Sequence, residues 1–456
     1  MTAYSSALDM IGNTPLLQVT KIDTGPCQLF LKLENQNPGG SIKDRIALSM
    51  IEEAEKKGLL KPKGTIIEAT AGNTGLGLAL VAAQKGYKLI LVIPDKMSQE
   101  KIFHLKALGA EIVLTRSDVT KGHPDYYQDL AYKLSKEIPG SYYINQFENE
   151  ANIFAHEKGT GPEIWQQMNH HVDAIICGVG SGGTLTGLGR FFQKTSPNTK
   201  FILADPKGSI LADVIKTGHK PEPGSWLVEG VGEDFIPAIT DLSYANDAYT
   251  IDDKESFETA HSLLKHEGIL AGSSSGTLIA AALRYCRAQT KPQKVLTFVC
   301  DSGNKYLSKM YNDHWLFDRG LLNKNKFNDL RDLIIRCKSE RSVITASPQD
   351  TLLSAYNKMK LYDISQLPVI NDKQAIGLIN QNILFSAIAK NQTAFDHKVE
   401  SIMVKEFVEI DIKSPLDVLK QLLLDNEIVI VNDNHAFYGL ITRIDFLSYL
   451  LRQPKI

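Results

Sequence analysis

Residues Ala174–Gly187 read A-I-I-C-G-V-G-S-G-G-T-L-T-G. Four apolar residues without alternation make a strand buried on both faces, a glycine-rich turn follows, and Thr184 to Gln193 continues at helix period. The same order recurs on both sides of this stretch. Ile66–Glu68, Leu89–Ile93, Glu111–Leu114, Lys200–Leu203 and Val295–Val299 read as strands buried on both faces, and Leu76–Lys85, Gln99–Leu108, Tyr126–Lys136 and Ile153–Met168 read as helices. Strand and helix alternating from Lys61 to about Cys300 predict an α/β, doubly wound region. Such folds bind ligands beyond the carboxyl ends of their strands, so the glycine-rich turns there are where chemistry belongs.

The chain has 456 residues, enough for about three compact units at ~150 residues each. Fifty basic residues against 52 acidic ones give a net charge of −2, too little positive field for a nucleic acid or an anionic membrane. Small molecules and other copies of the chain are the expected partners. The five cysteines are odd in number and show no C-x-x-C, so neither a disulfide framework nor a metal site is indicated. No apolar run approaches the ~18 residues of a membrane span, and residues 1–17 lack a basic segment followed by an apolar one. The expectation is a reduced, cytoplasmic protein.

Residues 321–333 turn polar and charged and read as a linker. Beyond it, Pro348, V-I-N-D at 369–372 and G-L-I at 377–379 are echoed by Pro415, V-N-D at 431–433 and G-L-I at 439–441. Repetition of this kind predicts two paired units that share a core, here 334–395 and 396–456. The preceding region, 1–320, is expected to hold a smaller subdomain, about 45–145, inserted in a larger one.

Four turns are candidates for the site. In N-P-G-G-S-I-K-D-R, Asn37–Arg45, Ser41 reads as a helix N-cap with Asp44 three residues on, which puts Lys43 in the first turn. A cation there opposes the helix dipole, so Lys43 is either a solvated surface lysine or an amine with a chemical task, such as a Schiff base. In E-A-T-A-G-N-T-G-L-G, Glu68–Gly77, Thr70, Asn73 and Thr74 with the backbone N–H groups form a cup for a carboxylate or phosphate, or simply a capped turn. In the opening stretch Gly178, Gly180 and Gly183 satisfy G-x-G-x-x-G, with Asp205 at the end of the next strand, as a dinucleotide site requires. The same geometry serves any phosphate monoester. The fourth turn, I-L-A-G-S-S-S-G-T at 269–277, is followed by F-V-C-D-S-G-N-K-Y at 298–306. Serines before a helix are commonly N-caps.

Taken together, N-P-G-G-S-I-K-D-R, T-A-G-N-T-G, G-S-G-G-T and G-S-S-S-G, with I-G-N-T-P-L near the start and E-G-V-G-E-D-F-I-P at 229–237, resemble the fold-type II pyridoxal-phosphate enzymes of the cysteine synthase and cystathionine β-synthase family. The resemblance covers roughly residues 5–320. The repeats at 340–452 resemble the paired CBS domains, or Bateman module, appended to some members, so the implied fold is a catalytic region of two doubly wound subdomains plus a C-terminal α+β pair. The resemblance implies pyridoxal 5'-phosphate held by Lys43, which then removes the substrate α-proton. Asn73 would meet the cofactor's 3-oxygen, and Gly180, Ser181, Gly182, Gly183 and Thr184 its phosphate. Ser274 would face the pyridine nitrogen. Thr70, Ala71, Gly72, Thr74 and Gln146 would hold the substrate carboxylate.

The implied activity is a lyase-type β-replacement in which homocysteine displaces the hydroxyl of L-serine to give cystathionine, in the transsulfuration route of cysteine biosynthesis. The alternatives are a cysteine synthase using O-acetylserine and sulfide and, in another class, an NAD-dependent oxidoreductase built on the glycine fingerprint and Asp205. Haem is not expected, because the resemblance begins within the first ten residues. Two departures border the second-substrate region: Glu233 replaces the tyrosine of G-I-G-Y-D-F in many eukaryotic members, and Phe147 follows Gln146 where those members have tyrosine. In the second repeat Thr442 and Asp445 match positions that in adenosyl-binding modules of this kind hold the ligand, here S-adenosylmethionine, an adenine nucleotide or, if the module is purely structural, nothing, whereas the first repeat carries Asn380 and Ile383 instead. At most one such site per chain is expected, with at least a homodimer.

Overall fold

The computed structural model describes residues 3–70, 72–95, 99–116, 118–119, 122–322, 327, 329–334 and 343–452. The fold is mixed α/β and divides into two units, Met1–Tyr311 and Asn312–Ile456.

The first unit holds two sheets. In spatial order the larger runs Leu16–Gln18, Gln28–Lys32, Lys294–Phe298, Ala174–Cys177, Lys200–Pro206 and Asp247–Ile251, parallel except for its first strand. The smaller is fully parallel and runs Glu111–Thr115, Lys88–Pro94, Thr65–Ala69 and Ser141–Tyr143. Its residues fall in sequence between two strands of the larger sheet. Ala174–Cys177 is buried at every residue, as its unbroken apolar run requires.

Several expectations are corrected. Glu111–Thr115 is an edge strand, paired only with Lys88–Pro94, so it is not buried on both faces and Leu114 is 57% exposed. The segment Ile153–Met168, read as a helix, is not one helix. It divides into Glu150–Ala155, a π turn at His156–Thr160 and Gly161–Gln167. Such turns change the face a side chain presents, and here buried His156 bonds Thr160 through Nδ1 and approaches Thr184 Oγ1 through Nε2 at 3.3 Å. Short polar strands such as Asp247–Ile251 carry too little apolar pattern to be read from sequence.

The capping box read at Ser41 forms only in part. The helix spans Lys43–Lys56 with Ile42 before it, the Lys43 N–H donates to Ser41 Oγ at 3.2 Å, and Asp44 turns back to accept from the Gly39 N–H at 2.6 Å. Ile46, Ala47, Met50, Ile51 and Ala54 face the core at helical spacing. A Cβ on Gly77 would lie 2.9 Å from the Lys43 carbonyl, so this glycine lets the Asn73–Lys85 helix pack directly against the lysine.

The start of the lysine helix is anchored by a buried ion cluster. Arg45 donates from Nε and Nη2 to both oxygens of Glu34 at 2.7 and 2.8 Å, and from Nη1 and Nη2 to both oxygens of Glu163 at 2.7 Å each. Lys32, fully buried, meets Glu163 at 3.0 Å and donates to the Thr14 carbonyl and Gln167.

In the second unit, the hairpins Gln366–Asn371/Gln374–Asn380 and Ile428–Asp433/Ala436–Thr442 repeat each other in detail. Both turn through two residues at positive φ, Asp372–Lys373 and Asn434–His435, and both carry a bulge two or three residues before the turn. Ile428, Ile430 and Phe437 of one repeat pack with Ile370, Ala375 and Leu378 of the other, giving the two a shared core. Leu330 and Leu333, from the stretch read as a linker, are buried in the core of the second repeat.

Arg45→Met is expected to lower unfolding stability by about 3–5 kcal/mol, because Glu34 and Glu163 would stay buried without their partner. A urea titration reads this as a fall in the midpoint. Burial alone would raise the Glu163 carboxyl, but Arg45 and Lys32 outweigh it and hold it down to about 2 from an ordinary 4.5. A depressed carboxyl stabilises the fold above 4.5 and loses that contribution as pH falls toward 2. The wild type should therefore lose stability across this window, and Glu163→Gln should flatten the loss.

Candidate active site

The carboxyl ends of the two sheets converge on a cavity of about 210 Å³. Lys43, Thr70, Gly72, Asn73, Thr74 and Gln146 line one side, and Gly180, Ser181, Gly182, Thr184 and Ser274 the other. Gly183 is the first residue of the Gly183–Thr195 helix and does not line the cavity itself. Ala71 lies outside the described residues. Thr442 and Asp445 belong to the second unit and line a separate cavity there.

Lys43 opens its helix with its amine in the cavity. Burial pulls its pKa below the ordinary lysine value, partly opposed by Cys300, Asp301 and Glu233. That makes the neutral, nucleophilic amine more accessible. Cys300 and Cys177 also line the cavity, and burial pushes both thiols up to about 12, which keeps them protonated and removes them as nucleophiles.

The Gly178–Thr184 turn is shaped by contacts no larger residue permits. Gly182 has φ +92°, and a Cβ there would lie 1.7 Å from Thr240 Oγ1. A Cβ on Gly183 would lie 1.9 Å from Asn152 Oδ1, while Asn152 Nδ2 donates to Ser181 Oγ at 2.9 Å. The turn thus brings glycine backbone, two hydroxyls and a helix N-terminus together at the cavity wall, chemistry that suits an anion. Buried His156 has its pKa pulled well below the ordinary value by burial, Arg45 and Lys43, so it meets Thr184 as a neutral ring.

Across the cavity, Thr74 donates to Gln146 Oε1 at 2.7 Å and the Gly72 N–H donates to Thr70 Oγ1 at 3.2 Å. Asn73 donates from Nδ2 to Asp301 at 2.8 Å and accepts from Lys305 Nζ at 2.7 Å. Tyr306 donates to the same Asp301 oxygen, Oδ2, at 2.8 Å. Asp301, Lys305 and Tyr306 had no assigned role in the sequence. Their signal was present in D-S-G-N-K-Y, but only the folded chain sets that turn against Asn73. Lys101 and Lys309 both pair with Glu229; burial alone would raise its carboxyl, and the two cations hold it low.

Ser274, 4% exposed, is the second residue of the Ser273–Arg287 helix. The N-cap reading fails for it, since Gly272 occupies that place and Ser274 faces the cavity instead. Asp205, the acid a dinucleotide site needs, is fully buried and accepts from the Ala212 N–H at 2.8 Å. It caps the next helix and faces no ribose, which removes the support for the oxidoreductase alternative. No group of three or more metal-ligating side chains occurs among the described residues, and no helix there is long and apolar enough to cross a membrane.

The donor set fits pyridoxal phosphate: one amine for the aldehyde, a glycine turn at a helix N-terminus for the phosphate, held in shape by contacts with Thr240, Asn152 and Gly230 that leave no room for a Cβ, and a neutral hydroxyl for the ring nitrogen. Gly182→Ala should cost more than about 1 kcal/mol, from the positive φ and the contact with Thr240 together. A lower melting temperature and weaker cofactor absorbance after gel filtration are the expected readouts.

Residues 7–301 match the family described as pyridoxal-phosphate dependent enzyme, and residues 331–390 and 399–452 each match the CBS domain. A cystathionine beta-synthase of Dictyostelium discoideum is 37% identical over 462 residues, covering 98% of this chain and 92% of its own length. Cysteine synthase 1 of Neurospora crassa is 39% identical but covers 68% of this chain and 84% of its own length. The crystal structure of a hydrogen sulfide-producing enzyme from Fusobacterium nucleatum is 40% identical with a TM-score of 0.62, covering 67% of this chain and all of its own.

Proposed function

The chain belongs to the pyridoxal-phosphate-dependent enzyme family and carries paired CBS domains, and on that premise we propose that it replaces the hydroxyl of L-serine with homocysteine to give L-cystathionine. The observation that carries this reading is the length of the match: the cystathionine beta-synthase relative covers 98% of the chain, both repeats included, whereas the cysteine synthase covers 68%.

The cofactor, when bound, supplies the electron sink that acidifies the substrate α-carbon. Lys43 would hold it through the amine and would be the base placed to take the substrate α-proton. The N–H groups of residues 180–184 with the Ser181 and Thr184 hydroxyls receive its phosphate. Asn73, fixed by Asp301 and Lys305, would present its amide to the 3-oxygen. Ser274 offers a hydroxyl where a carboxylate would hold a proton on the ring, which favours β-elimination over racemisation and transamination. Thr70, Ala71, Gly72, Thr74 and Gln146 hold the substrate carboxylate, with Thr74 already oriented by Gln146.

In the second unit, a cavity of about 430 Å³ is lined by Thr442 and Asp445 together with Asp363, Ser365 and Gln366. We propose it as an adenosyl site. Thr442 and Asp445 bond each other: the Thr442 N–H and hydroxyl donate to Asp445 Oδ2 at 2.8 and 2.6 Å. In the first repeat Asn380 accepts from the Ile383 N–H at 2.9 Å, the same capping position without an acid. Large apolar side chains of this unit, Leu361, Phe385 and Ile444 at 70–76% exposure, support a reading in which it joins copies into a homo-oligomer.

Lys43→Ala should fold normally and lose turnover, since no other amine lines the cavity among the described residues. A holoenzyme assay with serine plus homocysteine is expected to exceed O-acetylserine plus sulfide in kcat/KM, and an excess of an order of magnitude the other way makes the chain a cysteine synthase. For the second unit, calorimetric titration with S-adenosylmethionine, AMP and ATP should show one site per chain for one of these ligands. Asp445→Asn should abolish that binding, and equal binding by the variant places the ligand elsewhere.

A further inference from the structure

Glu233 lies in the wall of the catalytic cavity. Its backbone is fixed on both sides: the N–H donates to Ser209 Oγ at 3.0 Å, and the carbonyl accepts from Ser209 at 3.1 Å and from the Ile210 N–H at 3.1 Å. The preceding Gly232 has φ +88°, and a Cβ on it would lie 2.3 Å from Pro206 Cγ. The carboxyl is therefore carried by a strip with one available path. The charged and titratable groups around it are Lys43, Asp205 and Asp234, with Tyr126 and Tyr127 from the Tyr127–Glu137 helix and the residue before it.

Among the described residues lining the cavity, Glu233 is the only carboxyl group and Lys43 the only amine. Replacing a β-hydroxyl with an amino-acid thiol brings two amino acids into one space. The amine of the first is engaged by the cofactor and its carboxylate by the cup at 70–74. The second keeps a free ammonium, and a desolvated ammonium needs an anionic partner. Inorganic sulfide makes no such demand.

We propose that Glu233 receives the ammonium group of the thiol-bearing second substrate and so selects an amino-acid thiol over sulfide. This rests on the β-replacement reading above and deepens it. The electrostatics agree: burial, with Asp234 and Asp205 nearby, pushes the Glu233 carboxyl up to about 8. Lys43 partly opposes this rise, and a further cation arriving beside the carboxyl favours its ionised form. Phe147 and Trp226, which line the same cavity, add aromatic faces that a cation favours.

The test compares three nucleophiles with serine as first substrate: homocysteine, its deamino analogue 4-mercaptobutyrate, and sulfide. Glu233→Gln holoenzyme is expected to lose at least about tenfold in kcat/KM for homocysteine, chiefly through KM, as loss of a charged hydrogen bond implies. Any loss for 4-mercaptobutyrate and sulfide should be several-fold smaller than that for homocysteine, because neither carries the ammonium that this bond would serve. Glu233→Asp should recover part of the homocysteine loss. Calorimetric titration with L-homoserine, which has the ammonium but no thiol, should show weaker binding to Glu233→Gln independently of turnover. An equal loss for all three nucleophiles, or none for homocysteine, overturns the assignment. A wild-type holoenzyme that forms no thioether from serine with any of the three overturns the β-replacement reading, and this inference with it.

Discussion

Arg45 is the fixed point of the catalytic unit. Its guanidinium spans two carboxylates that arrive from distant parts of the chain, Glu34 after the second strand and Glu163 in the helix that follows the π turn. Planar, five-donor geometry suits this double bidentate task, and a lysine could not perform it. Because Arg45 lies two residues from Lys43, the clamp also sets where the cavity's amine emerges. The cluster has a cost: Lys32 and Glu34 are fully buried, and each needs its partners to offset lost hydration.

Much of this architecture was legible because parallel strands covered on both faces must be apolar throughout. Ala174–Cys177 and Lys88–Pro94 show that signature plainly. Glu111–Thr115 was read by the same rule and proved to be an edge, since an unbroken apolar run does not record how many neighbours a strand has. The π turn was hidden for a different reason: Ile153–Met168 keeps apolar residues at both ends at helical spacing, and the extra residue answers to His156 and Thr184, a contact made far away in sequence.

The site was legible in its glycines and less so in its supports. Gly182 is needed by a close approach of Thr240 and by its own backbone angle, and a G-S-G-G-T string reports such needs directly. Ser41 and Asp44 show the opposite case. Their spacing matches a capping box, yet only half of it forms: Ser41 Oγ takes the Lys43 N–H, while Asp44 is drawn back to Gly39. Asp205 satisfied a fingerprint while serving a neighbouring helix. Spacing alone cannot distinguish a carboxylate that faces a ligand from one that closes a turn.

The two thiols in the cavity wall have a consequence for the company this protein keeps. Burial holds the Cys177 and Cys300 thiols well above the ordinary value, so both carry very little thiolate at pH 7. Exchange with a disulfide begins from a thiolate, so these sulfurs are kinetically silent toward small thiols and their oxidised dimers. A protein that admits sulfur nucleophiles to its interior is thereby insulated from mixed-disulfide formation at the one place where it would block the chemistry.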